Sequence, residues 1–167
     1  FDDRGNPRVA WLLGSSASAP STIQILNPQN GSQVASIECF PAGFEPVDVE
    51  SFTDNSGSVQ LAVLAQHSTT GVTRLRVFDV ASGATRSDFV TGTSWKPRAL
   101  EVQLQGSTPV FSILESTTTS GTVFTRIQQR NATGVQIATR SLGAESALAI
   151  DDLPETRFSS VDNALFV

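Results

Sequence analysis

The sequence predicts an all-β chain built from four-stranded antiparallel meanders, one about every 51 residues. Three observations predict it. The first is composition: 21 Ser and 17 Thr stand beside a single Lys (Lys96) and no Met or Tyr. Thr and Val suit the pleated surface of a strand, and the residues that build helices are not dominant. The second is pattern. Short apolar runs alternate with Gly, Ser, Asn and Asp clusters, and no long window carries the 3.6-residue period of a helix. The third is recurrence at a fixed spacing.

That recurrence has several landmarks. Phe44-Glu45-Pro46 returns 51 residues later as Trp95-Lys96-Pro97. The turn Asp79-Val80-Ala81-Ser82-Gly83 has counterparts in Asn27-Pro28-Gln29-Asn30-Gly31 and Arg130-Asn131-Ala132-Thr133-Gly134, with closing glycines 52 and then 51 residues apart. Apolar pairs precede each turn: Ile23 and Ile25, Leu75 and Val77, then Val123 and Ile127. Gly57-x-x-x-Leu61-Ala62-Val63-Leu64 matches Gly5-x-x-x-Val9-Ala10-Trp11-Leu12, 52 residues earlier.

The elements follow from these landmarks, most clearly in the second unit. Pro46–Phe52 is a first strand with Val47 and Val49 on one face. Val59–Gln66 is a nearly continuous apolar run, as expected of a strand buried on both faces. Thr73–Val80 alternates through Leu75 and Val77, and Arg86–Val90 is short and mixed, like an edge strand. Turn-rich separators lie between them: Asp54-Asn55-Ser56-Gly57, Ser68-Thr69-Thr70-Gly71, Ala81-Ser82-Gly83 and Thr91-Gly92-Thr93-Ser94. Laid on this ruler, 1–43 is a partial unit of three strands, 44–94 and 95–146 are complete, and 147–167 begins a further one.

Four short strands per unit and a period of about 40–50 residues describe blades of a β-propeller. A lone blade has two apolar faces, and stacking blades around an axis buries both. Phe44, Trp95, Trp11 and Phe111 are expected to fill the space between blades. A β-sandwich is the competing architecture, but it gives no reason for turns that match at one period. Propellers close with 4–8 blades, so a propeller segment is expected, completed by the remaining blades of a longer chain or by another copy. Phe1 at the head of the chain fits a mature or trimmed piece, with any targeting signal removed.

In its loop-then-strand pattern, Phe52-Thr53-Asp54-Asn55-Ser56-Gly57-Ser58-Val59-Gln60-Leu61-Ala62-Val63-Leu64 resembles bacterial propeller repeats of the FG-GAP and integrin-like type. The later Asp79-x-x-x-Gly83 turn is similar to the hairpin of PQQ-like blades. The resemblance implies a calcium loop, with Asp54, Ser56 and Ser58 at alternating positions and Gln60 where the family places another acid. In the first unit Arg4 follows Asp2 and Asp3, and in the third Gln105-Gly106-Ser107-Thr108 has no acid. Read from the residues alone, Asp54 closes an Asx turn, and Asp79 and Asn27 cap turns whose glycine takes φ > 0. Arg130 at the third such position lacks that cap.

Other chemistry is sparse. Net charge is −5, which argues against a nucleic-acid backbone as partner. No apolar run approaches the roughly 18 residues of a membrane helix, so no membrane span is expected. One cysteine, Cys39, excludes an internal disulfide framework and a multi-cysteine zinc site. His67 is the only histidine and stands in a Ser/Thr-rich loop. Asp48, Glu50 and Glu101 occur singly at strand positions expected to face solvent, and Asp151-Asp152 with Glu155 forms the densest acidic patch. Asn30-Gly31-Ser32 and Asn131-Ala132-Thr133 are glycosylation sequons placed in turns.

The expected function is therefore non-catalytic binding or scaffolding by a secreted, periplasmic or surface protein, with no cofactor other than calcium. Hydroxyl-rich, nearly uncharged loops at 14–21, 66–73 and 115–122 suit first a passive solvated surface, and second contact with a protein or carbohydrate ligand. The alternatives are a propeller hydrolase or quinoprotein dehydrogenase whose active site lies outside these residues, and a calcium-binding adhesin.

Overall fold

A computed structural model describes residues 5–14, 19–146, 157–158 and 165–166. Among them every regular element is a strand. The first sheet joins β1 (Val9–Leu13), β2 (Ser21–Leu26) and β3 (Gln33–Phe40) in that order. The second joins β4 (Phe44–Thr53), β5 (Val59–His67), β6 (Thr73–Asp79) and β7 (Thr85–Gly92). The third joins β8 (Lys96–Gln105), β9 (Thr108–Thr119), β10 (Thr122–Asn131) and β11 (Gln136–Ser146). β12 (Arg157–Phe158) pairs with β13 (Leu165–Phe166). Each sheet is an antiparallel meander in which chain neighbours are sheet neighbours.

The sheets stack face to face, and the period-two geometry of β5 explains why. Leu61, Val63 and Ala65 point to one side and pack with Ile23, Ile25, Ile37, Cys39 and Phe40 of the first sheet. Ala62 and Leu64 point to the other, joining Leu75 and Val77 against Leu100, Phe111 and Ile113 of the third. Burying each such Leu, Ile or Phe contributes roughly 1.5–3 kcal/mol, so β5 alone ties two interfaces together. On the opposite face of the third sheet, Val110, Leu114, Val123 and Ile127 are buried as well. The layout is a sandwich of three layers, and no ring is closed among the described residues.

The two interfaces use matching contacts. A side chain on Gly83 would rest 3.8 Å from Ile37, and one on Gly134 would strike Phe89 at 2.5 Å. Each turn glycine thus lies on the last strand of the preceding sheet. Arg76 Nη1 donates to the Cys39 carbonyl at 2.6 Å, and Arg130 donates to the Thr91 carbonyl, again on the preceding last strand. Inside the second unit Arg74 lies 5.9 Å from the Phe44 ring centroid, and inside the third Arg126 lies 4.1 Å from that of Trp95.

Several expectations need correction. A bulge between Pro46 and Asp48 takes Val47 out of the alternation, leaving it exposed rather than beside Val49. The same irregularity recurs between Pro97 and Ala99. Trp11 fills no gap between sheets but is 56% exposed on the outer face of the first sheet. Residues 115–122 form strand rather than a long loop, since β9 and β10 meet at the tight Ser120-Gly121 turn, both residues at positive φ. The third turn keeps its cap one residue later, at Asn131, and is one residue shorter.

Candidate functional site

At one end of the second sheet, where the β4–β5 and β6–β7 turns lie together, a connected set of polar side chains gathers. In the first turn Asp54 Oδ1 accepts from Ser56 N at 2.9 Å and Ser58 N at 3.1 Å. Ser56 Oγ lies 2.6 Å from that oxygen and 3.0 Å from Ser58 Oγ. Asp54, Ser56 and Ser58, the three candidate calcium ligands, thus come together. They do so as an Asx turn closed by Gly57, which bonds back to the Asp54 carbonyl with φ +83°. A cation at Asp54 Oδ1 would compete with these donors, whose bonding holds the Asp54 carboxyl below the usual range, Ser56 contributing most.

Sequence reading did not foresee the connection between the turns. Gln60 Nε2 donates to Asp54 Oδ2 at 3.0 Å and reaches Asp79 Oδ2 at 3.4 Å. Asp79 takes a further bond from Arg86 Nη2 at 2.7 Å, and Ser82 caps its other oxygen through N and Oγ. Arg86, then Ser82, hold the Asp79 carboxyl well below the usual carboxylate range. The carbonyl oxygen of Gln60 is buried with no partner. The available signal was a glutamine inside the apolar run Val59–Gln66, a polar group that must find company when buried.

A second polar group sits between the second and third sheets. Glu115 is fully buried and accepts from Arg126 Nε at 2.8 Å and from Gln128 Nε2. Arg130 bonds Gln128 Oε1 at 3.0 Å and the Gly134 carbonyl at 2.7 Å, and burial lowers its pKa. Asp48, expected to face solvent, instead accepts from Leu100 N at 2.8 Å and links the same two sheets. Glu50 and Glu101 are half-buried.

The remaining candidates are occupied locally. His67 Nδ1 accepts from the amides of Thr69 and Thr70, both at 3.3 Å, while its ring stands edge-on to Phe44. Cys39 is buried, and desolvation pushes its thiol up to about 12. Asn30 and Asn131 of the two sequons spend their side-chain oxygens on turn amides. Asp2, Asp3, Arg4, Asp151, Asp152, Glu155 and the centre of loop 14–21 lie outside the described residues. Among the described residues no three or more His, Cys, Asp or Glu converge as metal ligands, and no helix is long and apolar enough to cross a membrane.

The chain matches no protein-family model and no curated protein. Among the described residues, Asp48, Asp54, Asp79 and Glu115 spend carboxylate oxygens on bonds that lock turns and sheets.

Proposed function

We propose that the chain is a run of β-propeller blades of FG-GAP-like or PQQ-like type, serving as a rigid binding or scaffolding segment of a larger secreted or surface protein. One observation carries the reading: the first-to-second and second-to-third interfaces share the same contacts. Gly83 on Ile37 matches Gly134 on Phe89, and the carbonyls of Cys39 and Thr91, 52 residues apart, each accept from an arginine of the following sheet. A head-to-tail contact used twice is one operator applied repeatedly, and such an operator either closes into a ring or continues as an open array. A two-layer sandwich has no use for it. Function then falls to the exposed turn tips, and the hydroxyl-rich 68–70 and 118–121 suit protein or carbohydrate contact.

The test has two arms. A crystal structure of the chain within its longer polypeptide is expected to show successive sheets rotated about one axis. Unequal transformations at the two interfaces would overturn the architecture. Arrays of glycans and extracellular proteins are expected to give saturable binding, lost when tip residues 68–70 and 118–121 are replaced by glycine. Turnover of glycosides, esters or quinone-coupled alcohols by the chain itself would overturn the non-catalytic role.

A further inference from the structure

We infer that His67 makes the β5–β6 turn a pH-operated latch, closed while its imidazole is neutral and released when the ring takes a second proton. Three turns of the chain share one backbone pattern. The amides of Gly31, Gly71 and Gly83 bond the carbonyls of Asn27, His67 and Asp79 at 2.8–2.9 Å. In return the amides of Asn27, His67 and Asp79 bond the carbonyls of Ser32, Val72 and Ala84. The residue that opens each turn also accepts amide protons through its side chain. Asn27 Oδ1 accepts from Gln29, Asp79 Oδ1 from Ser82, and His67 Nδ1 from both Thr69 and Thr70. Neutral amide oxygens and ionised carboxylates stay acceptors through the physiological range. Histidine is the side chain that ordinarily changes charge between pH 5 and 8.

What this turn holds sets it apart from the other two. Ser68 N bonds the Gly43 carbonyl at 2.9 Å, and Ser68 Oγ reaches the same oxygen at 3.3 Å. The turn is thereby tied to the link 41–43 between the first and second sheets. The imidazole lies against that link as well, since a side chain on Gly43 would come 3.0 Å from His67 Nε2. With both nitrogens protonated the ring is a donor only, so no rotation of it restores an acceptor for the Thr69 and Thr70 amides. Those amides can then be satisfied only by water, which requires the turn to open. Among the described residues around the ring, the turn 68–71 and the link 41–43 carry no charge. β4 brings Glu45, exposed beside Phe44, and β6 brings Arg74, 5.9 Å from the Phe44 centroid and paired with Asp88 of β7. β3 brings Phe40, stacked on Phe44 beneath Arg76, and the exposed Glu38. None of these groups offers the two amides an acceptor in place of Nδ1. The latch needs neither a ligand at 68–70 nor a closed ring of sheets, so it stands apart from the proposed function.

The test is an NMR titration of the isotope-labelled chain from about pH 8 to about pH 5. The His67 ring protons report its charge, and amide exchange corrected for intrinsic rate reports the state of the turn. Protection of the Ser68, Thr69 and Thr70 amides is expected to fall about tenfold in step with the ring, the size of one net hydrogen bond. Protection of the Gly83 amide, in the like-patterned turn at the other end of β6, should not move. His67→Asn gives this turn the acceptor that Asn27 gives its own, and should keep the three amides equally protected at both ends of the titration. Protection that stays level while the ring titrates overturns the inference, as does a ring still neutral at the acid end. An equal fall in the His67→Asn chain overturns it too. If that variant does not fold, the titration of the native chain decides alone.

Discussion

At the scale of single residues, the turn glycines rank themselves. Gly83 and Gly134 both adopt positive φ, +70° and +82°, but only Gly134 lies where a methyl group would collide with a ring, that of Phe89 at 2.5 Å. Gly83→Ala is expected to cost about 1 kcal/mol, from the left-handed backbone alone. Gly134→Ala should cost about 2–4 kcal/mol, because overpacking is added to that strain. Urea unfolding of the two variants measures the difference. Glu115 gives a second residue-level test. Arg126→Met is expected to destabilise by about 2–3 kcal/mol, less than for a fully buried pair because the Arg126 side chain is 26% exposed. Ala65 is the apolar counterpart of Glu115 in the second sheet, standing opposite Pro46 and Arg74 as Glu115 stands opposite Pro97 and Arg126, so Glu115→Val combined with Arg126→Leu should recover part of that loss.

Asp79 sets the acid limit at the same scale. Its folded pKa is depressed by Arg86 and Ser82, so its contribution to stability is present above the unfolded value of about 3.9. That contribution is lost as pH falls below this value through the lower folded one. Asp79→Asn is therefore expected to lower the melting temperature at neutral pH and to flatten its fall below about pH 4. Melting curves from pH 7 downward check both effects, and an unchanged acid slope would show that Asp79 does not govern it.

Among the elements, the β9–β10 hairpin carries avoidable strain. Ser120 is a non-glycine residue at φ 52°, followed by Gly121 at φ 80°. Ser120→Asn, better suited to the left-handed region, is expected to stabilise by about 0.5–1 kcal/mol, readable as a higher urea midpoint. The strands were legible because alternation and buried runs leave direct marks on sequence, and Val59–Gln66 announced a strand covered on both faces. Bulges leave no such mark, so alternation alone sets Val47 beside Val49, whereas the bulge after Pro46 turns it out to solvent. The Ser/Thr-rich stretch after Glu115 read as loop because polar residues can continue a strand that projects into water. At the site, Asp54, Ser56 and Ser58 could be grouped from spacing alone. Their link to Asp79 spans a strand pairing, which local spacing does not encode.

For the molecule as a whole, Cys39 reports on coupling between sheets. It is buried between the first and second sheets, with its thiol pushed up to about 12 by desolvation. Labelling by a thiol reagent at pH 7 is expected to be slow in the native chain and to accelerate in parallel with separation of these sheets in urea. Rapid labelling without denaturant would mean that the interface opens far more easily than its packing implies. The 51- to 52-residue spacing of matching turns is visible in the sequence, but spacing says nothing about which residues touch. Only the contacts between Gly134 and Phe89 and between Arg130 and Thr91 supply that.

Those contacts also make the hairpins unequal hosts for change. Wherever a turn glycine lies against the neighbouring sheet, as at Gly83 and Gly134, lengthening the hairpin pries the layers apart. At the Ser120-Gly121 tip, by contrast, a side chain built on Gly121 finds no atom within 4 Å among the described residues. New segments grafted there would hang clear of the stack, so diversification by insertion belongs at that tip, while the opposite hairpins stay fixed in length.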